Sequence, residues 1–236
     1  MPQLLPCILL ILVTTSSHAV ELVSTEQRTQ LIELYTSEGC SSCPPADRWL
    51  SEFRQDPQLW VGIIPVALHV DYWDYIGWKD PFADGRFSQR QREYVAQGFV
   101  SGVYTPGFIV NGREWRGWFV SRGKPPRNVS DAGVLRLDTR QQVFDASYSK
   151  GGADRLHIVW LGFDVPSTVT AGENRGRSLS HDFIVLAHRS YAGDGTWQGA
   201  LPPKPASKNR LALAAWVSRG DSPVPLQAVG GWYPQP

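Results

Sequence analysis

Hydrophobic and polar positions along the chain show two textures, and the change comes near residue 124. Residues 31–36 alternate weakly and carry Ile32 and Tyr35, the pattern of a buried strand, and residues 46–53 then set Trp49, Leu50 and Phe53 on one helical face. Residues 60–70 form a nearly continuous apolar run rich in β-branched side chains, which suits a strand covered on both faces of a parallel or mixed sheet. Strand, helix, strand predicts a right-handed crossover. A polar helical segment follows over residues 87–97, and then two short strands, 108–112 and 113–115, around the Asn111-Gly112 turn. Beyond residue 124, short apolar segments at 135–137, 143–148, 156–163, 183–188 and 211–217 alternate with Gly, Pro and Ser, which predicts a β-rich, sandwich-like module.

The N-terminus changes this picture. Residues 7–13 are apolar, and Ser17-His18-Ala19 has the small residues of a cleavage site, so residues 1–19 read as a signal peptide. The apolar stretch is shorter than the about 20 residues a membrane span requires, so no integral membrane segment is expected after cleavage. Cleavage removes Cys7 and leaves an even pair of cysteines, the arithmetic of an oxidising compartment, periplasmic or extracellular. With 236 residues, 42% hydrophobic and 19% charged, the chain can bury a sizeable core. A formal net charge of +1 leaves no reason to expect nucleic acid as a partner.

Candidate chemistry concentrates in Glu38-Gly39-Cys40-Ser41-Ser42-Cys43-Pro44-Pro45, where the first strand runs into a helix start. Two thiols two residues apart at a helix N-terminus can close a small disulfide, and the helix end stabilises one thiolate. Cys40, outside the first helical turn and nearest solvent, reads as the nucleophile and Cys43 as the resolving thiol. Pro44 and Pro45 fit the first turn, where backbone donors lack intrahelical partners anyway. Glu38 reads either as a base beside the thiols or as a solvated loop residue. His69 and Asp71 alternate at a strand end and so face one side, as a buried hydrogen-bonded pair or a proton shuttle. Cys40, Cys43 and His69 together are also the donor types of a soft-metal site. The Gly172-Glu-Asn-Arg-Gly-Arg177 segment reads as a turn.

The order strand, Cys-x-x-Cys, helix, strand, helix, then Thr105-Pro106 leading into a hairpin, resembles the thioredoxin fold over residues 31–118. That resemblance implies a cis-proline at Pro106, with Thr105 presenting its backbone to a bound thiol partner. Cys-Ser-Ser-Cys-Pro-Pro-Ala-Asp, His-Val-Asp-Tyr-Trp-Asp-Tyr-Ile-Gly-Trp-Lys-Asp-Pro-Phe and Thr-Pro-Gly-Phe-Ile-Val-Asn-Gly jointly are similar to the uncharacterised secreted family DUF1223, a likeness that continues through residues 172–181. It implies a fold and a place in export, without a known substrate.

The expectation is therefore an α/β thioredoxin-like domain with a central mixed sheet over residues 20–123, followed by a β-rich domain over 124–236. Its function is dithiol–disulfide exchange by Cys40 and Cys43 on an exported protein or small-molecule thiol, with no cofactor. Two alternatives stay open: a copper or other soft-metal carrier on the same fold, and a redox-inactive binding protein with a structural disulfide.

Overall fold

The computed structural model describes residues 19–207 and 209–234. The expected signal peptide lies outside the described residues except for Ala19, which opens strand β1 (Ala19–Val23). Next come β2 (Gln30–Thr36), α1 (Pro44–Ser51), β3 (Ile63–His69) and α2 (Gly85–Ala96). They are followed by β4 (Gly107–Val110), β5 (Arg113–Glu114) and α3 (Gly117–Ser121). The remainder is all strand: β6 (Leu135–Arg140), β7 (Val143–Tyr148), β8 (Arg155–Gly162), β9 (Val165–Thr168) and β10 (Ser178–His181), then β11 (Ile184–Ala192), β12 (Thr196–Ala200), β13 (Leu211–Ser218) and β14 (Gln227–Trp232).

Strands β2 and β3 pair in parallel across the helix α1, and β4 and β5 add antiparallel on the other side of β2. Helix α1 is too short to hold itself, since isolated helices below about 12 residues are marginal. Packing holds it: the buried Trp49 ring lies edge-on to Phe53 and Phe108 and stacked on Trp115. Helix α2 begins on Asp84, whose side chain accepts from the Arg86 amide.

The sequence division at residue 123 does not separate two sheets. One eight-stranded sheet runs β14-β13-β8-β11-β3-β2-β4-β5, and its middle joint is the parallel contact of Ile184 with Ala67. The apolar runs explain why. In β8, Leu156, Ile158 and Trp160 belong to one core while Val159 and Leu161 belong to another, so the strand is buried on both faces and needs neighbours on both edges. The first core lies under the helices, and the second lies between the eight-stranded sheet and a four-stranded one of order β1-β6-β7-β12. That sheet-on-sheet packing is the sandwich-like part, and the N-terminal β1 belongs to it through its pairing with β6. Strands β9 and β10 form a separate ribbon.

Candidate functional site

Strand β2 ends at Thr36, and the chain turns through residues 37–42 into α1, whose N-cap is Cys43. The turn is closed by backbone bonds from the Cys40 amide to the Ser37 carbonyl and from the Cys43 amide to the Cys40 carbonyl, both 3.2 Å. Cys40 and Cys43 are joined as a disulfide, their Cα atoms 5.4 Å apart. Ser42 Oγ lies 3.3 Å from Cys40 Sγ. Pro44 and Pro45 occupy the first helical positions as their chemistry requires.

Neither cysteine is open to solvent. Cys40 is 1% exposed and Cys43 is fully buried, whereas Ser41 and Ser42 between them are exposed. The loop between β9 and β10, the segment that by composition reads as a plain turn, is fixed to this turn. Asn174, fully buried, donates from Nδ2 to the carbonyls of Glu38 (2.8 Å) and Cys40 (2.9 Å). Arg177 holds the Asn174 oxygen at 2.8 Å, and Glu173 accepts from the Ser41 amide at 2.9 Å.

Glu38 is no solvated loop residue. At 1% exposure it accepts from Trp78 Nε1 at 2.8 Å, and its Oε1 lies 2.9 Å from His181 Nε2. Its backbone amide donates to Asp80 Oδ2, which His69 Nδ1 also meets at 2.7 Å. The His69 and His181 rings are edge to face with centroids 5.0 Å apart, and Phe82 borders both. A buried polar chain His181, Glu38, Asp80, His69 thus lies behind the cysteine turn.

The expected partnership of His69 with Asp71 is replaced by one with Asp80. Strand β3 stops at His69 and the chain turns, with the Asp74 amide bonding back to the Asp71 carbonyl, so the alternation that would align Asp71 with His69 ends. Asp71 is exposed and meets the Ser88 hydroxyl of α2. Asp80 instead folds back, fixed by the Glu38 and Phe82 amides. Burial opposes charge on both members, but their mutual attraction and hydrogen bond outweigh it: His69 is raised above the usual imidazole value and Asp80 lies below the usual carboxylate value. Burial raises the Asp47 carboxyl in α1, which accepts from Thr36 Oγ1 at 2.8 Å.

On the other side of the cysteine turn, Trp73 packs against Gly39, where any added Cβ would meet Trp73 Cβ at 3.1 Å. The same Trp73 donates from Nε1 to Thr105 Oγ1 at 2.6 Å, linking Thr105 to the turn. The Thr105–Pro106 peptide is cis. Among the described residues no group of three or more His, Cys, Asp and Glu is arranged to hold a metal ion, the trio Cys40, Cys43 and His69 included.

Sequence reasoning placed Cys40, Cys43, Glu38, His69 and Thr105 in one neighbourhood, and the structure connects them. It missed Asn174, Glu173, His181, Trp78 and the role of Asp80. The signal for the first three was the 172–181 motif, unusually polar for a plain turn and rich in side chains able to cap backbone groups.

A family model described as a protein of unknown function, DUF1223, matches residues 31–218. No curated protein matches the chain. Among solved structures, a crystal structure of a protein from Agrobacterium tumefaciens is 24% identical with a TM-score of 0.51, covering 85% of this chain and 92% of that one. HBP35 of Porphyromonas gingivalis is 14% identical with a TM-score of 0.53, covering 88% of this chain and 76% of that one. At these identities both are likenesses of fold alone.

Proposed function

The chain belongs to the DUF1223 family of proteins of unknown function, and from that premise we propose that it is an exported thiol–disulfide exchange protein built on a thioredoxin-like unit, acting through Cys40 and Cys43. The observation that carries the reading is the disulfide closed across the cysteine turn at the start of α1. The order β3-β2-β4-β5, with α1 bridging the parallel pair, supports the thioredoxin-like unit. The disulfide and the apolar N-terminal segment support export.

In the proposed reaction a thiolate of an exported dithiol attacks Cys40 Sγ. The Cys40–Cys43 bond breaks, its electron pair leaves on Cys43, and a mixed disulfide joins the partner to Cys40. The partner's second thiolate then attacks its own sulfur in that mixed disulfide and expels Cys40. The partner has lost two electrons and two protons, and the cysteine pair has gained them. Run in reverse, Cys40 is the nucleophile and Cys43 resolves. Glu38, two residues before Cys40 and in contact with His181, is assigned to the proton, and Thr105 and Pro106 to the partner's backbone.

A second reading, a redox-inactive binding protein with a structural disulfide, is favoured by the burial of both sulfurs. One experiment separates the two. The purified protein is equilibrated with glutathione redox buffers and its thiols are counted. Exchange predicts a reversible two-electron transition, no exchange in Cys40→Ser, and trapped mixed disulfides in Cys43→Ser. No transition across the glutathione range, in wild type and in a variant with the Asn174 contacts removed, leaves the structural disulfide.

A further inference from the structure

A cavity of about 630 Å³ lies between α2 and the eight-stranded sheet. It is on the face opposite the cysteine turn: Leu68 lines it, while its neighbour His69 in β3 points the other way, as alternation along a strand requires. Its volume falls within the roughly 300–1,000 Å³ of small-molecule sites.

One wall is a stack of rings that meets the cavity by its edges, with the Arg90 guanidinium 5.3 Å over the Trp216 ring. Trp216 stands directly opposite His157 in the β8/β13 ladder, and His188 comes from β11 beside them. The His157 and Trp216 rings are 9° from parallel with centroids 5.0 Å apart, and the His157 and His188 rings are 10° from parallel at 5.4 Å. Leu68 and Phe87 add apolar surface. Burial, helped by nearby arginines, holds His157 well below its usual value and pushes His188 down to about 3, so both rings are neutral at neutral pH.

The polar groups on this wall are incompletely used. Trp216 Nε1 and His188 Nδ1 are buried without a hydrogen-bond partner, a rare condition for polar atoms in native proteins. The cations differ in the same way. Arg90 is paired with Glu33 and Arg86 with Asp84, whereas Arg155 makes no ion pair among the described residues. Glu93 and Asp221 also border the cavity, and neither pairs with Arg155.

We propose that this cavity is a binding site for a planar aromatic carboxylate, its ring packed against the edges of His157, His188 and Trp216 and its carboxylate meeting Arg155. An aryl face against these ring edges makes edge-to-face contacts, and the apolar walls suit it. A carboxylate supplies the charge Arg155 lacks and acceptor oxygens for donors that have none. This site is independent of the disulfide and stands or falls without it.

The test is calorimetric titration of the purified protein with three probes: 1-naphthoate, the uncharged 1-naphthamide, and cyclohexanecarboxylate, which keeps the charge without the flat ring. The expected result is saturable one-to-one binding of 1-naphthoate and at least tenfold weaker binding of the other two. Arg155→Gln, at a half-buried position with no ion pair to lose, should abolish the preference for the acid over the amide. Ser190→Trp, which fills the rim of the cavity from an exposed position, should abolish binding of 1-naphthoate. Absence of saturable binding, equal affinity for the three probes, or unchanged 1-naphthoate affinity in Arg155→Gln would overturn the proposal.

Discussion

Histidines on the two faces of the eight-stranded sheet respond to pH in opposite senses. His69 has a raised value because Asp80 outweighs its burial, so its contribution is complete below the unfolded imidazole value of about 6.5 and fades as pH rises through the native value. Asp80, lowered by the same contact, contributes above about 3.9 and loses its part only as pH falls through its depressed value. His188, at about 3, destabilises the fold as pH falls from about 6.5 toward that value. Urea unfolding of wild type, His69→Gln and His188→Gln between pH 4.5 and 9 should show the deficit of the first variant shrinking toward pH 9. The second variant should lose less stability than wild type on acidification. Parallel pH curves for all three would contradict both assignments. At this scale the cysteine pair was legible because its spacing is local. The setting of Glu38 was not, since its partners Trp78 and His181 lie 40 and 143 residues away and nothing in residue order brings them together. Asp71 misled for a related reason: alternation holds only while the strand continues, and β3 stops at His69.

Elements with a long apolar period were readable, and those punctuated by glycine were not. The strands now numbered β2, β3, β8 and β13 were all visible as apolar runs. Strand β14 was missed because Gly230 and Gly231 look like a turn. Their lack of a side chain answers packing instead, since a Cβ on Gly230 would stand 2.8 Å from the Trp60 ring, and one on Gly231 would stand 2.6 Å from Leu22. The β9/β10 ribbon was missed because its strands are short and polar. Its grip on the cysteine turn rests on the two donations from Asn174 Nδ2. At roughly 1 kcal/mol net for each hydrogen bond, removing both makes opening easier by about 2 kcal/mol, or about 30-fold. Asn174→Leu, close in size but without donors, should therefore be reduced by dithiothreitol about 30-fold faster than wild type, as followed by thiol labelling over time. An unchanged rate would mean that the ribbon does not control access to the sulfurs.

For the whole molecule, the shared sheet decides how the chain folds. Strand β3 has β2 on one edge and β11 on the other, so a fragment ending at residue 123 exposes an apolar strand edge and much of the first core. The full chain should unfold in urea as a single cooperative transition with coincident near- and far-ultraviolet signals, and the fragment 20–123 should show no cooperative transition. The texture change near residue 124 was real as a change of element type and misleading as a boundary, because strand pairing across it depends on long-range register that local composition does not carry. Synthesis gives the Asn174 contacts a meaning in time. The chain is made from its N-terminus, and 134 residues separate Cys40 from Asn174. At roughly 5–20 residues per second, the cysteine turn precedes Asn174 by about 7 to 27 s. Until residue 174 is made the cysteine turn lacks these contacts, so an oxidant that reaches the thiols in that interval closes the bond on a turn the ribbon has yet to hold.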